Sequence, residues 1–177
     1  ATAAPAAAPA AAPAAKSKGL GLHLGASGTA APAATPATAP AACLDNGAAT
    51  VPDCSIIVAP STSCPVFSAV AAKCAAFKND FNAKVAAAAI TCLSSSAAAQ
   101  LCDATRPSTC AQTALAKSCP DSNVAQLCGI AAGPCKVTAT ACTSIVSGLN
   151  SQGQQQVAQC VATGCGAGLQ GCIDALK

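Results

Sequence analysis

The stretch that decides the fold is CPVFSAVAAKCAAFKNDF, residues 64–81. Within it Phe67, Val70, Cys74, Phe77 and Phe81 recur at steps of three and four, the spacing that lines one face of an α-helix. Pro65 suits a first helical position, where its missing N–H is no loss. After a break at Asn79-Asp80 the stripe resumes through Val85, Ala88, Ala89 and Cys92. Cysteine therefore stands on the apolar side of a helix, among alanines.

The same pattern runs on toward the end of the chain. Thr109-x-x-Gln112 reads as a capping box opening a helix with Ala114, Leu115 and Cys119. Pro120 stops it, and Asp121 caps a helix with Val124, Leu127 and Cys128. A further helix carries Cys142, Ile145, Val146 and Leu149 and ends at Asn150. Ser151-x-x-Gln154 reads as a second capping box, leading to Val157, Cys160 and Val161. The last helix presents Cys165, Leu169, Cys172, Ile173 and Leu176. Upstream, Cys43 to Pro60 is irregular, apart from Ile56-Ile57-Val58, which reads as a short strand. The expected fold is mainly α: a disulfide-stapled bundle of six or seven short helices over residues 43–177. Cys74 to Cys92 and Cys142 to Cys160 share one spacing of eighteen, and CDA at 102–104 echoes CIDA at 172–175. An old duplication of a helical hairpin would produce this echo, and so would coincidence in so alanine-rich a chain.

Composition explains why cysteine is needed. Hydrophobic residues make up 53% of the chain but aromatics only 2%, so Phe67, Phe77 and Phe81 are the only large rings. A large buried side chain is worth about 1.5–3 kcal/mol, and alanine supplies less. A disulfide contributes about 2–4 kcal/mol in the chain-entropy model. The fourteen cysteines are even in number and permit full pairing. They are Cys43, Cys54, Cys64, Cys74, Cys92, Cys102, Cys110, Cys119, Cys128, Cys135, Cys142, Cys160, Cys165 and Cys172. They allow on the order of 10⁵ complete pairings, and sequence does not choose among them. Such bridges need an oxidising compartment. The protein is therefore expected to be secreted, extracellular or on the cell surface, with an export signal and the initiator methionine removed. No run of eighteen apolar residues is free of proline or charge, so no transmembrane segment is expected.

Residues 1–42 form a different region, without cysteine. ATAAPAAAPAAAPAA and AAPAATPATAPAA place proline every few residues, which blocks helix and favours an extended polyproline conformation. Between them, at 19–25, Leu20, Leu22 and Leu24 alternate with Gly19, Gly21, His23 and Gly25. Alternation by two reads as a short strand with one apolar face. Glycine weakens it in isolation, so it suits the edge of a partner. The reading is an extended Ala/Pro-rich N-terminal arm carrying one potential β-strand.

Several chemistries lack their residues. Zinc fingers need close pairs such as C-x2-C, whereas the tightest spacing here is Cys160-x4-Cys165. His23 is the single histidine and has no nucleophile near it in sequence. The six acids, Asp45, Asp53, Asp80, Asp103, Asp121 and Asp174, mostly fall at turns or helix ends, where aspartate caps N–H groups. GLGLHLG lacks the third glycine and the βαβ context of a dinucleotide loop. Net charge is only +3, with eight lysines and Arg106 scattered. No basic stripe or stacking aromatics point to nucleic acid. The sequence thus assigns no catalytic residue, cofactor or metal ligand, and the chain is expected not to be an enzyme.

In CAQTALAKSCPD (110–121) and VAQCVATGCGAGLQGCIDAL (157–176), the cysteine region resembles uncharacterised alanine- and cysteine-rich secreted proteins of high-GC bacteria. That resemblance implies export and nothing about activity. The leading expectation is an extracellular structural or assembly protein, such as a filament, surface-layer or matrix subunit. It would form a homo-oligomer or polymer by arm exchange, Leu20, Leu22 and Leu24 of one copy adding to a receiving strand at Ile56, Ile57 and Val58 of the next. The alternative is a secreted helical carrier for an apolar small molecule, suggested by the phenylalanine stripe. An ice- or surface-binding protein is a lesser expectation, since no regular threonine array lies on one face.

Overall fold

The phenylalanine stripe folds as α1, Phe67–Asp80. Val70, Cys74, Ala76 and Phe77 point inward, and Phe81, just past the end, stacks on Phe77 with ring centroids 5.0 Å apart. The computed structural model describes residues 42–60 and 63–177, and among them the protein is mainly helical, with eight α-helices and seven disulfides. The arm, with Leu20, Leu22, Leu24 and His23, lies outside the described residues.

Chain order after α1 is α2 (Ala83–Ser94), α3 (Ala98–Leu101), α4 (Arg106–Leu115), α5 (Ala125–Ala131), α6 (Ala139–Ser147), α7 (Ser151–Ala162) and α8 (Gly168–Asp174). Asn82 separates α1 from α2 in an extended conformation, close to the expected break. Packing is densest between α2 and α4 and between α5 and α6, with α1 touching α2, α4 and α7. The core is built from small and branched side chains: Val85, Ala86, Ala89, Ile90 and Leu93 of α2, Ala111, Ala114 and Leu115 of α4, Val146, Leu149 and Val157. Buried cysteines, among them Cys74, Cys110, Cys128 and Cys142, are part of that core. Alanine on facing helices lets backbones approach to the 5–6 Å between α-carbons that a bridge requires. Cys92–Cys110 joins α2 to α4 at 5.6 Å, and Cys128–Cys142 joins α5 to α6 at 5.4 Å.

Three local expectations are corrected. Ile56-Ile57-Val58 is not a strand. Asp53 accepts the N–H of Ser55 and caps a single 3-10 turn, Cys54–Ile56, because Cys54 must turn toward Cys74. Thr109 does not open a helix: α4 begins a turn earlier at Arg106, with Pro107 in the first turn, where an N–H has no helical partner in any case. Asn150, not Ser151, caps α7, its Oδ1 accepting the N–H groups of Gln152 and Gly153.

Candidate functional site

The cysteine-bearing region is fastened at its first residues. Leu44 forms a parallel β-bridge with Ser118. Its N–H donates to the Lys117 carbonyl at 2.7 Å, and its carbonyl accepts the Cys119 N–H at 2.9 Å. Cys43 is fastened to Cys119 by a disulfide beside that pairing. Asp45 then turns the chain, its Oδ1 accepting the Gly47 N–H and the Lys84 ammonium, both at 2.7 Å. The Lys84 hydrogen bond and then that of Gly47 hold the Asp45 carboxyl below the usual range. Ser118 is buried, and its single hydroxyl hydrogen is shared between the carbonyls of Leu115 and Ser144. The first residues of the body are therefore locked to its middle by one covalent bond, two backbone hydrogen bonds and an ion pair. A cleft of about 500 Å³ opens beside them, lined by Ala42, Leu44, Ala116 and Lys117.

The other sites expected from sequence disperse. All fourteen cysteines are consumed: Cys43–Cys119, Cys54–Cys74, Cys64–Cys102, Cys92–Cys110, Cys128–Cys142, Cys135–Cys165 and Cys160–Cys172. Among the described residues no group of three or more metal-ligating side chains converges. Asp53, Asp103 and Asp121 each accept an N–H two residues on. Hydrogen bonds from Ser55 and from Thr105, respectively, lower the Asp53 and Asp103 carboxyls. Asp174 accepts from Ser108 and Gln170. Phe77 and Phe81 are buried in the core and Phe67 packs against it, so the stripe that suggested a carrier is spent on packing. Ile56 and Val58 stay exposed, at 44% and 72%, while Ile57 is buried.

Asp80 is the acid whose burial sequence reading did not foresee. It ends α1 fully buried. Oδ1 accepts from Gln156 Nε2 at 2.6 Å, and Oδ2 has no partner. Burial pushes its carboxyl up, against the opposing pull of the Lys177 backbone, Gln156 and Lys73. Its position at a helix end gave no warning, because α7 is what covers it. Gly153 of α7 lies so close that a Cβ there would stand 2.3 Å from the Asp80 carbonyl oxygen.

The chain matches no protein-family model, no curated protein and no solved structure. What stands is the class that the fold defines: a helical, seven-disulfide protein in which no described helix is long and apolar enough to cross a membrane. Those features fit an extracellular protein.

Proposed function

We propose that this protein is an extracellular assembly subunit, of a filament, surface layer or matrix, joined to its neighbours through the cysteine-free N-terminal arm. The observation that carries the reading is the fastened root. A load on the arm reaches Cys43 and passes through the Cys43–Cys119 bond into the middle of the chain, instead of peeling residues 43–53 from the body as far as the next bridge, Cys54–Cys74. Such anchoring serves a tether and is superfluous for a loose tail. Secretion and resemblance to exported alanine- and cysteine-rich proteins belong to the same proposal.

In this reading Leu20, Leu22 and Leu24 add as a strand to a neighbouring copy, where backbone hydrogen bonds supply affinity and alternate leucines supply register. Exchange from head to tail yields open fibres, and reciprocal exchange closes a dimer. Residues 56–58 leave the end of a 3-10 turn and pair with no strand, and only Ile56 and Val58 are exposed, so they serve at most as an apolar contact. The test is deletion of residues 1–42, followed by sedimentation and electron microscopy. The full chain is expected to assemble and the shortened one to remain a folded monomer. Equal assembly of both would refute the arm's role.

A further inference from the structure

The disulfides sort into two sets along the chain. Cys54–Cys74, Cys64–Cys102 and Cys92–Cys110 lie before Cys119, and Cys128–Cys142, Cys135–Cys165 and Cys160–Cys172 lie after it. Counting seven cysteines from Cys43 to Cys110, and seven more from Cys119 to Cys172, gives one connectivity twice. In each run the second pairs with the fourth, the third with the sixth and the fifth with the seventh. Six cysteines allow 15 pairings, so one set would match the other by chance about once in 15. The remaining bridge, Cys43–Cys119, joins the first cysteine of one run to the first of the other.

Backbone geometry agrees independently. The offset that carries Asn82 onto Asn150 carries Cys74 onto Cys142, Cys92 onto Cys160, and α2 onto α7 end for end. At the crossing the contacts are reciprocal. The Asn82 N–H donates to Gly148 O at 2.9 Å and the Asn150 N–H to Asp80 O at 3.0 Å. The Asn82 amide donates to Ser147 O at 2.8 Å and the Asn150 amide to Asn79 O at 2.6 Å. Under that one offset, donors map onto donors and acceptors onto acceptors. Phe81 pairs, antiparallel, with its own counterpart Leu149. Contacts exchanged in this way are those of an isologous, twofold interface. Smaller features follow the cysteine count. Asp45 and Asp121 each stand two residues after the first cysteine and each cap the N–H two residues on. Ile56 and Ile130, both exposed, each stand two residues after the second. The halves differ in four places: α3 is present only in the first, α1 outruns α6, the second cysteine lies in a 3-10 turn in the first half but in α5 in the second, and Asn150 caps α7 where Asn82 makes no such bond to α2.

We infer that residues 43–177 are two docked copies of one seven-cysteine unit, related by a pseudo-twofold axis at the Phe81–Leu149 pairing. This inference is independent of the assembly role.

The test uses the full chain. A lysine-specific protease acting on the denatured, unreduced protein cuts after Lys73, Lys78, Lys84, Lys117 and Lys136, leaving cysteine peptides held together only by disulfides. The wild-type protein is expected to give one linked cluster. The double variant Cys43→Ala/Cys119→Ala is expected to give two: peptides 19–73, 74–78 and 85–117 in one, and 118–136 and 137–177 in the other. A cluster in the variant that holds peptides from both sides of Lys117 would overturn the inference. Should that variant misfold, mapping of the wild type decides. The single linkage crossing Lys117 is expected to be Cys43 to Cys119, and any other crossing linkage refutes the two-unit reading.

Discussion

Asp80 shows how one residue sets a pH dependence. Its carboxyl is buried with one oxygen unpartnered and its pKa is raised, chiefly by burial. Below about pH 3.9, the unfolded value, the group is protonated in both states and burial carries no charge penalty. As pH rises through the higher folded pKa, the unfolded state releases its proton more readily, so stability from this group is lost. The exposed Asp45, Asp53 and Asp103 have lowered pKa values and act oppositely: their contribution is lost as pH falls. The difference between Asp80→Asn and wild type isolates the buried group. Asparagine retains a hydrogen bond with Gln156 and removes the charge, so its advantage is expected to be near zero at pH 3 and to grow to about 1–3 kcal/mol at pH 7. Thermal melts of both proteins across that range check it, and a constant difference would contradict it. Sequence reading placed most of the aspartates at turns and helix ends, which holds for Asp45, Asp53, Asp103 and Asp121 at turns and for Asp80 and Asp174 at helix ends. It offered no way to single out Asp80, because burial there depends on α7, far along the chain.

At the scale of elements, periodicity was a better guide than capping motifs. The stripes of α1 and α8 were legible because each buries residues that recur at three and four: Val70, Cys74 and Phe77 in α1, Leu169, Cys172 and Ile173 in α8. In α2 Val85 and Ala89 are buried as expected, but the face continues through Ala86, Ile90 and Leu93, and Ala88 and Cys92 are only half-buried. Helix starts were less legible. Thr109 and Ser151 both fit the capping-box pattern, yet Arg106 and Asn150 mark the real beginnings. In the second case a stronger cap stood one residue earlier, already committed to the crossing with α1. That crossing brings the start of α7 onto the last turn of α1, and only hydrogen fits between them at Gly153. Gly153→Ala improves helix propensity in an isolated α7 by about 1 kcal/mol. In the folded protein it is expected to destabilise by about 3 kcal/mol or more, since the clash is with backbone that cannot rotate away. Denaturant titration measures the sign, and stabilisation would show that the helices are farther apart than described. Gln152→Ala, on the exposed side of the same turn, is expected to change stability by less than about 0.5 kcal/mol.

For the molecule as a whole, the question is what replaces an aromatic core. Cysteine usage pointed to a disulfide-stapled class, whose seven bridges fit an extracellular protein, but the pairing was beyond sequence, since a bridge depends on which alanine faces meet. The shared spacing of Cys74–Cys92 and Cys142–Cys160 was the one visible trace of the repeated unit; its reciprocal interface became legible only once Asn82 and Asn150 were seen to exchange contacts. Every bridge but Cys43–Cys119 closes a loop of modest length, from the separation of 12 at Cys160–Cys172 to 38 at Cys64–Cys102. Loops of this size contribute about 2–4 kcal/mol each in the chain-entropy model. A domain of this length has a net stability of about 5–15 kcal/mol, so even partial additivity makes the bridges decisive. The helices give little refuge without them, because none among the described residues exceeds 14 residues and isolated helices that short are marginal in water. Full reduction and alkylation in native buffer at 25 °C is therefore expected to abolish the fold, with most of the helical circular dichroism lost and the hydrodynamic radius expanded toward that of an unfolded chain. A reduced protein that stayed compact and helical would mean that small-residue packing, and not the disulfides, holds the two units together.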